Sequence, residues 1–181
     1  LGLDVYKNGR ISRENIEKLC TVLRDFVRLM QVYHVDAYRA CATSAFRESR
    51  NTEIMQDYIE KQTGLKITVL SNSEQRFVDY KSIASVTAEF EKIVDIGSSS
   101  MQISLFDKDK LITTQNIRIG SVTTKEQLAP FAKSSGHFEQ LVTELLDHEL
   151  AGFAKLYQKD RQLKNLIVIG GNLLGLMTSY R

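Results

Sequence analysis

Tryptophan is absent from this chain of 181 residues, proline occurs once and cysteine twice. So little cysteine excludes a miniprotein stapled by disulfides, because such scaffolds carry several bridges in a short chain. Cys20 and Cys41 lack a CxxC spacing and lie in apolar patterns, which predicts two buried free thiols. The three histidines are scattered along the chain, so a zinc site built from histidine and cysteine is not expected.

The chain also has no large excess of one charge sign. It contains 24 Lys and Arg and 22 Asp and Glu, which gives a formal net charge of +2. Nucleic-acid-binding proteins usually concentrate basic residues on one face, so this balance argues against a nucleic-acid partner. No apolar run approaches the roughly 20 residues that cross a bilayer, and residues 1–10 lack the features of a signal peptide. We therefore expect a cytoplasmic protein that does not bind membranes.

The chain does have the composition of a folded domain, with 43% hydrophobic and 25% charged residues. Its first half alternates helical periodicity with short apolar runs typical of strands. The predicted order is a helix over 12–33 capped by Ser12, a strand at 36–43, a helix from Asn51 to near Gly64, a strand at 65–70 and a helix capped near Ser71.

The pattern changes in the second half. Strands are predicted at 92–96, 101–106 and 111–119, a three-stranded meander, followed by a helix at about 136–158, a strand at 166–169, a Gly170-Gly171-Asn172 turn and a helix from Leu173. We place a boundary between residues 88 and 89. The sequence thus predicts an α/β protein with two segments, 1–88 and 89–181.

The stretch Val94 to Ser100, VDIGSSS, carries the strongest chemical signal. A turn of small residues lets a phosphate approach backbone N–H groups, and the hydroxyls of its three serines add donors. Asp95 at the strand end could hold Mg²⁺ beside those phosphates. The alternative is an ordinary β-turn with a serine run. Its place at the opening of a meander favours phosphate binding, because phosphate-handling domains like those of actin and Hsp70 begin in this way.

Five segments carry a family resemblance: ATSAFRESRN (42–51), VLSNSEQR (69–76), IVDIGSSSMQISLF (93–106), IRIGSV (117–122) and VIGGNLLGL (168–176). In this order and spacing they resemble the Ppx/GppA family of exopolyphosphatases and guanosine pentaphosphate phosphohydrolases. The resemblance implies an actin-like ATPase (ribonuclease H-like) fold with two α/β subdomains around a cleft. It also implies Mg²⁺-dependent removal of the terminal phosphate from polyphosphate or pppGpp.

The same resemblance suggests that the chain is truncated at its N-terminus. Family members start with a strand and a DIGSNS-type phosphate loop, which has no counterpart here. Residues 1–88 would then be the remainder of the first subdomain, and residues 89–181 would be the second. Family members are often dimers through further domains, so a homodimer is possible.

Two site residues are implied in the first segment. Arg47 matches the arginine of the family's ATSALR motif, where a guanidinium could grip phosphate; otherwise it would pair with a glutamate at the start of a helix. Glu74 resembles a glutamate of the SGxEEAR motif that orients or deprotonates the attacking water; otherwise it is a first-turn glutamate favoured by the helix dipole. An ungapped match from Ser71 puts Gln75 there instead, and glutamine is a poor proton acceptor.

The other implied residues lie in the second segment. Asp95 matches the aspartate of the family's DIGGGSTE loop, a metal ligand, and Gly97 and Ser100 match its phosphate-binding turn. Three positions depart from that loop, since Ser98 and Ser99 replace glycines and Gln102 replaces the acidic residue. Ser98 and Ser99 still bring hydroxyl donors for phosphate.

Three glycines complete the implied site, and for each a plain structural role is also adequate. Gly120 resembles the glycine of the family's LPLGAV element, and Gly170 and Gly171 resemble the GG turn of the second subdomain. Two rivals to hydrolysis remain open: a degenerate member that binds a nucleotide or alarmone without hydrolysing it, and an ATP-using module like a kinase.

Overall fold

The structure is a computed structural model that describes residues 1–84, 91–107, 110–135, 138–157 and 165–170. The chain divides into two compact units, Leu1–Ala84 and Ser85–Arg181. The predicted boundary at 88/89 and the predicted helix from Leu173 lie outside the described residues. None of the helices that these residues form combines the length and apolar character of a membrane span.

The first unit is built mainly from helices. Its elements are α1 (Gly2–Asn8), α2 (Arg13–Val32), β1 (Ala40–Ala42), α3 (Ser44–Arg47), α4 (Thr52–Thr63), β2 (Ile67–Val69) and α5 (Asn72–Ala84). β1 and β2 pair in parallel. The core of this unit is formed by Val5, Ile11, Ile16, Cys20, Phe46 and Ile59.

Local capping fixes the helix ends in this unit. Ser12 is the N-cap of α2, and its hydroxyl accepts a hydrogen bond from the Asn15 N–H. Gly64 ends α4 in the left-handed conformation, with φ 74°. Both ends agree with the sequence prediction. The strands are shorter than predicted, and α1 and α3 were not predicted.

The cysteine prediction is half correct. Both cysteines are free thiols, as expected. Cys20 is buried, and burial raises the pKa of its thiol. Cys41 is exposed, so its predicted burial was wrong. It lies in the middle of β1, where successive side chains point to opposite faces, and its own face is not covered.

The second unit is a four-stranded sheet with helices. Its elements are β3 (Lys92–Ile96), β4 (Met101–Asp107), β5 (Lys110–Ile117), α6 (Ser121–Ser135), α7 (Phe138–Tyr157) and β6 (Leu166–Ile169). The strand order is β5-β4-β3-β6, with β3 antiparallel to β4 and parallel to β6. The predicted meander and the long helix are confirmed, whereas α6 was not predicted.

One face of this sheet forms the apolar core. Val94, Ile103 and Ile117 point to the side where Phe153 of α7 packs, and Leu105 in the same cluster is fully buried. Because side chains alternate along a strand, Asp95 lies on the opposite face from Val94. The alternation therefore separates the candidate site residue from the apolar core.

An acid-sensitive cap is predicted where α1 meets α2. Asp4 accepts hydrogen bonds from Ser12 and Asn15, which lower the pKa of its carboxyl from 3.8 to about 2. A lowered folded-state pKa means that the stabilisation is present above about pH 4 and is lost as the pH falls towards 2. In Asp4→Asn, urea unfolding followed by circular dichroism should therefore show a weaker loss of stability over that pH range. An equal loss in both proteins would contradict this role.

Candidate functional site

The turn between β3 and β4, residues 97–100, is closed by its own backbone. The Gly97 N–H donates to the Ser100 carbonyl oxygen at 3.0 Å. Ser98 and Ser99 replace glycines of the family loop without backbone strain, because neither serine has a positive φ. Within the described part of the chain, the non-glycine residue with a positive φ is His34. The two serines therefore do not disturb the shape of the turn.

The N-terminus of α6 is docked on this turn. The N–H of Ser121 donates to the Gly97 carbonyl at 3.0 Å, and those of Val122 and Thr123 donate to the Ser98 carbonyl at 3.0 and 3.2 Å. These bonds satisfy helix donors that have no partner inside the helix. They also orient the turn, because the carbonyl oxygens of Gly97 and Ser98 face α6.

The hydroxyl of Thr123 joins the same network. It accepts a hydrogen bond from the Gly120 N–H at 2.9 Å and lies 3.2 Å from the carbonyl oxygens of both Ser99 and Gly120. The Ser99 carbonyl thus also faces α6. Since the C=O and N–H of a trans peptide point in opposite directions, the N–H groups of Ser98, Ser99 and Ser100 point away from α6.

Close backbone contact explains two of the predicted glycines. A β-carbon at Gly120 would collide with the carbonyl group of Ser98 and lie 2.5 Å from the Ser99 carbonyl carbon. At Gly170, with φ 153°, it would lie 2.6 Å from the Ile96 carbonyl oxygen. Both glycines therefore have a packing reason, and their contact with phosphate stays a prediction. Gly171 lies outside the described residues.

Asp95 belongs to a polar row across the sheet. Its partner in register on β4 is Gln102, and the partner of Gln102 on β5 is Asn116. Directly opposite residues on antiparallel strands share a face, with β-carbons about 5 Å apart. The residue that replaces the family's acidic group therefore lies beside Asp95.

In the first unit, Arg47 contacts the loop that leads into α5. Its Nη1 donates to the Leu70 carbonyl oxygen at 2.6 Å and to Gln75 Oε1 at 3.5 Å. The arginine is half-buried at the end of α3. It therefore lies next to residue 75 and holds the main chain just before Ser71.

Glu74 forms a capping box with Ser71. Its Oε2 accepts from the Ser71 N–H at 2.8 Å, and its own N–H donates to the Ser71 hydroxyl at 3.2 Å. These hydrogen bonds lower the pKa of the Glu74 carboxyl, which makes it a weaker proton acceptor. The side chain thus has the structural role of a first-turn glutamate, and its catalytic role stays a prediction.

The predicted residues form two groups, one in each unit. Arg47 and the start of α5 lie together in the first unit, whereas Asp95, the 97–100 turn, Gly120 and Gly170 lie together in the second. Sequence reasoning missed Thr123, because it lies inside the first turn of α6, a helix that was not predicted.

The second unit also contains a cavity of about 830 Å³ between the sheet, α6 and α7. It is lined mainly by apolar side chains, including Ile96, Met101 and Leu146, and Lys125 is the charged residue in its lining. A polyanion that entered it would lose its hydrating water without gaining enough hydrogen bonds or ion pairs from the protein. The cavity is therefore not the phosphate site.

A model of the Ppx/GppA phosphatase family matches residues 1–170. The chain belongs to this family. The Ppx/GppA resemblance seen in the five motifs is thereby confirmed.

The chain is 27% identical over 133 residues to a bifunctional 3-dehydroquinate synthase/phosphatase of Fusobacterium nucleatum, a match that covers 70% of this chain and 20% of that protein. It is 26% identical over 136 residues to exopolyphosphatase 2 of Mycobacterium tuberculosis, covering 70% of this chain and 42% of that protein. The chain thus spans less than half the length of these two relatives.

A solved exopolyphosphatase from Cytophaga hutchinsonii superposes with a TM-score of 0.78 at 18% identity, covering 96% of this chain and 56% of that chain. Similarity at this level of identity shows the fold. The chain therefore has the α/β fold of the Ppx/GppA proteins, as predicted.

We expect Gly120→Ala to destabilise the second unit by about 1–3 kcal/mol, because the added methyl group must displace the Ser98 carbonyl. The matched control is Gly152→Ala in α7, where a β-carbon meets nothing within 4 Å. That change should stabilise by about 0.5–1 kcal/mol through helix propensity. Urea unfolding measures both, and equal signs for the two variants would contradict the close contact at Gly120.

Thr123→Val should cost about 1–3 kcal/mol, because it leaves the buried Gly120 N–H without its acceptor. Thr123→Ser keeps the hydroxyl and should cost less. The same unfolding measurement compares them. If valine and serine were equivalent, the hydroxyl network would not hold the turn against α6.

Proposed function

We propose that the protein releases the terminal phosphate of inorganic polyphosphate or of pppGpp in a Mg²⁺-dependent hydrolysis. Membership in the Ppx/GppA phosphatase family supports a hydrolase of phosphoanhydride bonds, and two of the relatives are exopolyphosphatases. The observation that carries the proposal is the orientation of the 97–100 turn, in which the carbonyl oxygens of Gly97, Ser98 and Ser99 face α6.

This orientation suits the turn to an oxyanion. Three successive peptide N–H groups, those of Ser98, Ser99 and Ser100, point to the side away from α6. The serine hydroxyl groups, of which that of Ser99 is buried, would add donors. The positive end of the α6 dipole lies directly behind the turn. Donors fixed in place before the reaction are what stabilises developing charge on phosphate oxygens. Gly97, Gly120 and Gly170 would keep the backbone close behind the bound phosphate, and Gly171 stays a predicted contact.

The surroundings of Asp95 fit Mg²⁺. This ion takes oxygen ligands and is commonly held by one or two carboxylates together with substrate phosphates. Asp95 supplies a carboxylate, and the side-chain amide of Gln102 is its neighbour in register. Mg²⁺ held there would neutralise negative charge on the phosphate oxygens.

Arg47 is a further predicted ligand of phosphate oxygens. Its contacts with Leu70 and Gln75 use Nη1, so Nε and Nη2 are the donors that would form a bidentate pair with phosphate. A side chain at the start of α5 would orient the attacking water, which phosphoryl transfer requires because positioning supplies much of its catalysis. The sequence names Glu74 for this role, with Gln75 as the alternative register.

The second candidate function is binding of polyphosphate, a nucleotide or an alarmone without hydrolysis. Gln102 favours this second candidate. Its side-chain amide lies opposite Asp95 and is neutral, whereas a carboxylate at that position would add a negative charge to bind a cation. The full-length protein with Mg²⁺ should release phosphate from polyphosphate or pppGpp and not from ATP. Tight binding without release would favour the second candidate, and release from ATP would favour a kinase-like module.

Mg²⁺ activation should depend on the polar row. Asp95→Asn should raise the Mg²⁺ concentration for half-maximal phosphate release by about 10- to 100-fold, and Gln102→Glu should lower it, since a carboxylate added beside Asp95 strengthens cation binding. The measurement is colorimetric phosphate release across a Mg²⁺ titration.

Asn116→Asp is the matched control for Gln102→Glu. It adds the same charge one strand further from Asp95, at about 10 Å, and should change the Mg²⁺ requirement much less. If Asp95→Asn left the requirement at the parent value, Asp95 would not be the Mg²⁺ ligand.

A further inference from the structure

Arg118 lies just beyond the end of β5, between two residues of the apolar core. Ile117 and Ile119 both belong to the buried cluster of the second unit, with 4% and 8% of their surface exposed. Arg118 between them is exposed. Because successive side chains alternate along a strand, and both neighbours of Arg118 point into the core, the arginine points to the opposite face of the sheet.

The polar row lies on that same face. Asn116, two residues before Arg118, is the register partner of Gln102, which is in turn the partner of Asp95. Gln102 is therefore the diagonal neighbour of Arg118, within reach of a long side chain. It is neutral, so it does not compensate the charge of the guanidinium as a carboxylate would. Arg118 thus adds a positive charge to the face that carries Asp95.

Strand pairing brings Arg118 next to the turn between β3 and β4. Met101, the residue that follows the turn, is the register partner of Ile117. Since these strands are antiparallel, one step forward from Ile117 reaches Arg118 while one step back from Met101 reaches Ser100. Two residues after the arginine, Gly120 packs directly against the backbone of the turn. The main chain at Arg118 is therefore held beside the turn.

The turn presents its N–H groups to the face on which Arg118 lies. Both α6 and α7 lie on the core face, because side chains of both helices line a cavity together with Ile96 and Ile119. The N–H groups of residues 98–100 point away from α6, and therefore away from the core face. The peptide donors and the guanidinium are thus on the same side of the sheet.

We propose that Arg118 binds the substrate phosphate that the 97–100 turn holds. This inference rests on the proposed function, because it adds a contact to the same phosphate site. The planar guanidinium presents paired N–H donors that match two phosphate oxygens. Among the residues that the structure describes, Arg118 has no ion-pair partner that would compete with such a ligand.

Arg118 differs in two ways from the arginine predicted in the first unit. It belongs to the same unit as the turn, so the turn and the guanidinium are positioned by one sheet. It is also a departure from the LPLGAV element that the segment IRIGSV resembles, since proline stands at this position there. The contact would therefore be a feature of this chain.

A guanidinium beside the turn should act on binding more than on the chemical step. The phosphate oxygens are negatively charged both in the bound substrate and in the transition state, so the arginine stabilises both. An interaction of equal strength in the two states lowers KM and leaves kcat nearly unchanged. Loss of Arg118 should therefore raise KM, which separates its role from that of a residue that acts in bond breaking.

The experiment measures phosphate release from polyphosphate by the full-length protein at saturating Mg²⁺. Isothermal titration calorimetry without Mg²⁺ gives the Kd for polyphosphate independently of hydrolysis. Arg118→Gln should raise KM and Kd by about 10- to 100-fold, as expected for loss of charge-assisted hydrogen bonds, with kcat changed by less than about threefold. Arg118→Lys keeps the charge and loses the bidentate geometry, so it should fall in between.

Lys110→Gln is the matched control. It removes one positive charge from an exposed position at the other end of β5, about 25 Å from Arg118 along the strand. KM and Kd should stay at the parent values. An equal rise in Lys110→Gln and Arg118→Gln would overturn the proposal, because the effect would then come from net charge and not from position.

The remaining outcomes separate this contact from the proposed function. A parent that releases phosphate while Arg118→Gln keeps its KM and Kd overturns the role of Arg118 and leaves hydrolysis intact. A parent that binds polyphosphate without releasing phosphate overturns the proposed function, and a raised Kd in Arg118→Gln would still support the contact. A parent that neither binds polyphosphate nor releases phosphate from it overturns both.

Discussion

The hydrogen bonds between the first turn of α6 and the carbonyl oxygens of residues 97–99 are the constraint on which the rest of the second unit depends. They satisfy the helix donors, and they fix which side of the turn presents carbonyl groups and which presents N–H groups. Gly120 is glycine because this docking brings two backbones into contact. Thr123 adds a hydroxyl to the same junction. The composition of the turn shows only that its residues are small and polar, whereas these hydrogen bonds determine which way its peptide groups point.

Alternation along the strands supplies the second constraint. Val94 and Asp95 are neighbours in the chain, yet one packs in the apolar core and the other lies in a row with Gln102 and Asn116. The same sheet can therefore bury its apolar side chains on one face and keep side chains with carboxylate or amide oxygens together on the other. This separation makes a cation site compatible with a stable core.

Much of the fold was predictable where the signal is local. The Ser12 cap, the Gly64 terminus and the three-stranded meander follow from side-chain capping, from left-handed glycine and from alternating hydrophobicity. α6 was missed because Pro130 lies inside it and its apolar residues lack a clear helical period. The exposure of Cys41 was missed because an apolar run does not say which strand face is covered.

The sequence by itself determined the family, through five short motifs in order, and the identity of the residues that could meet phosphate or Mg²⁺. Only the tertiary structure decided which neighbours those residues contact, because strand register and helix docking join positions far apart in the chain. Arg47 reaches Gln75 through the loop after β2, and Gln102 meets Asp95 through antiparallel pairing. Glu74, the residue that the motif favours, is bound instead to Ser71 in the cap of its own helix. This capping box joins the N-cap residue to the residue three positions later, so it depends on where the helix begins.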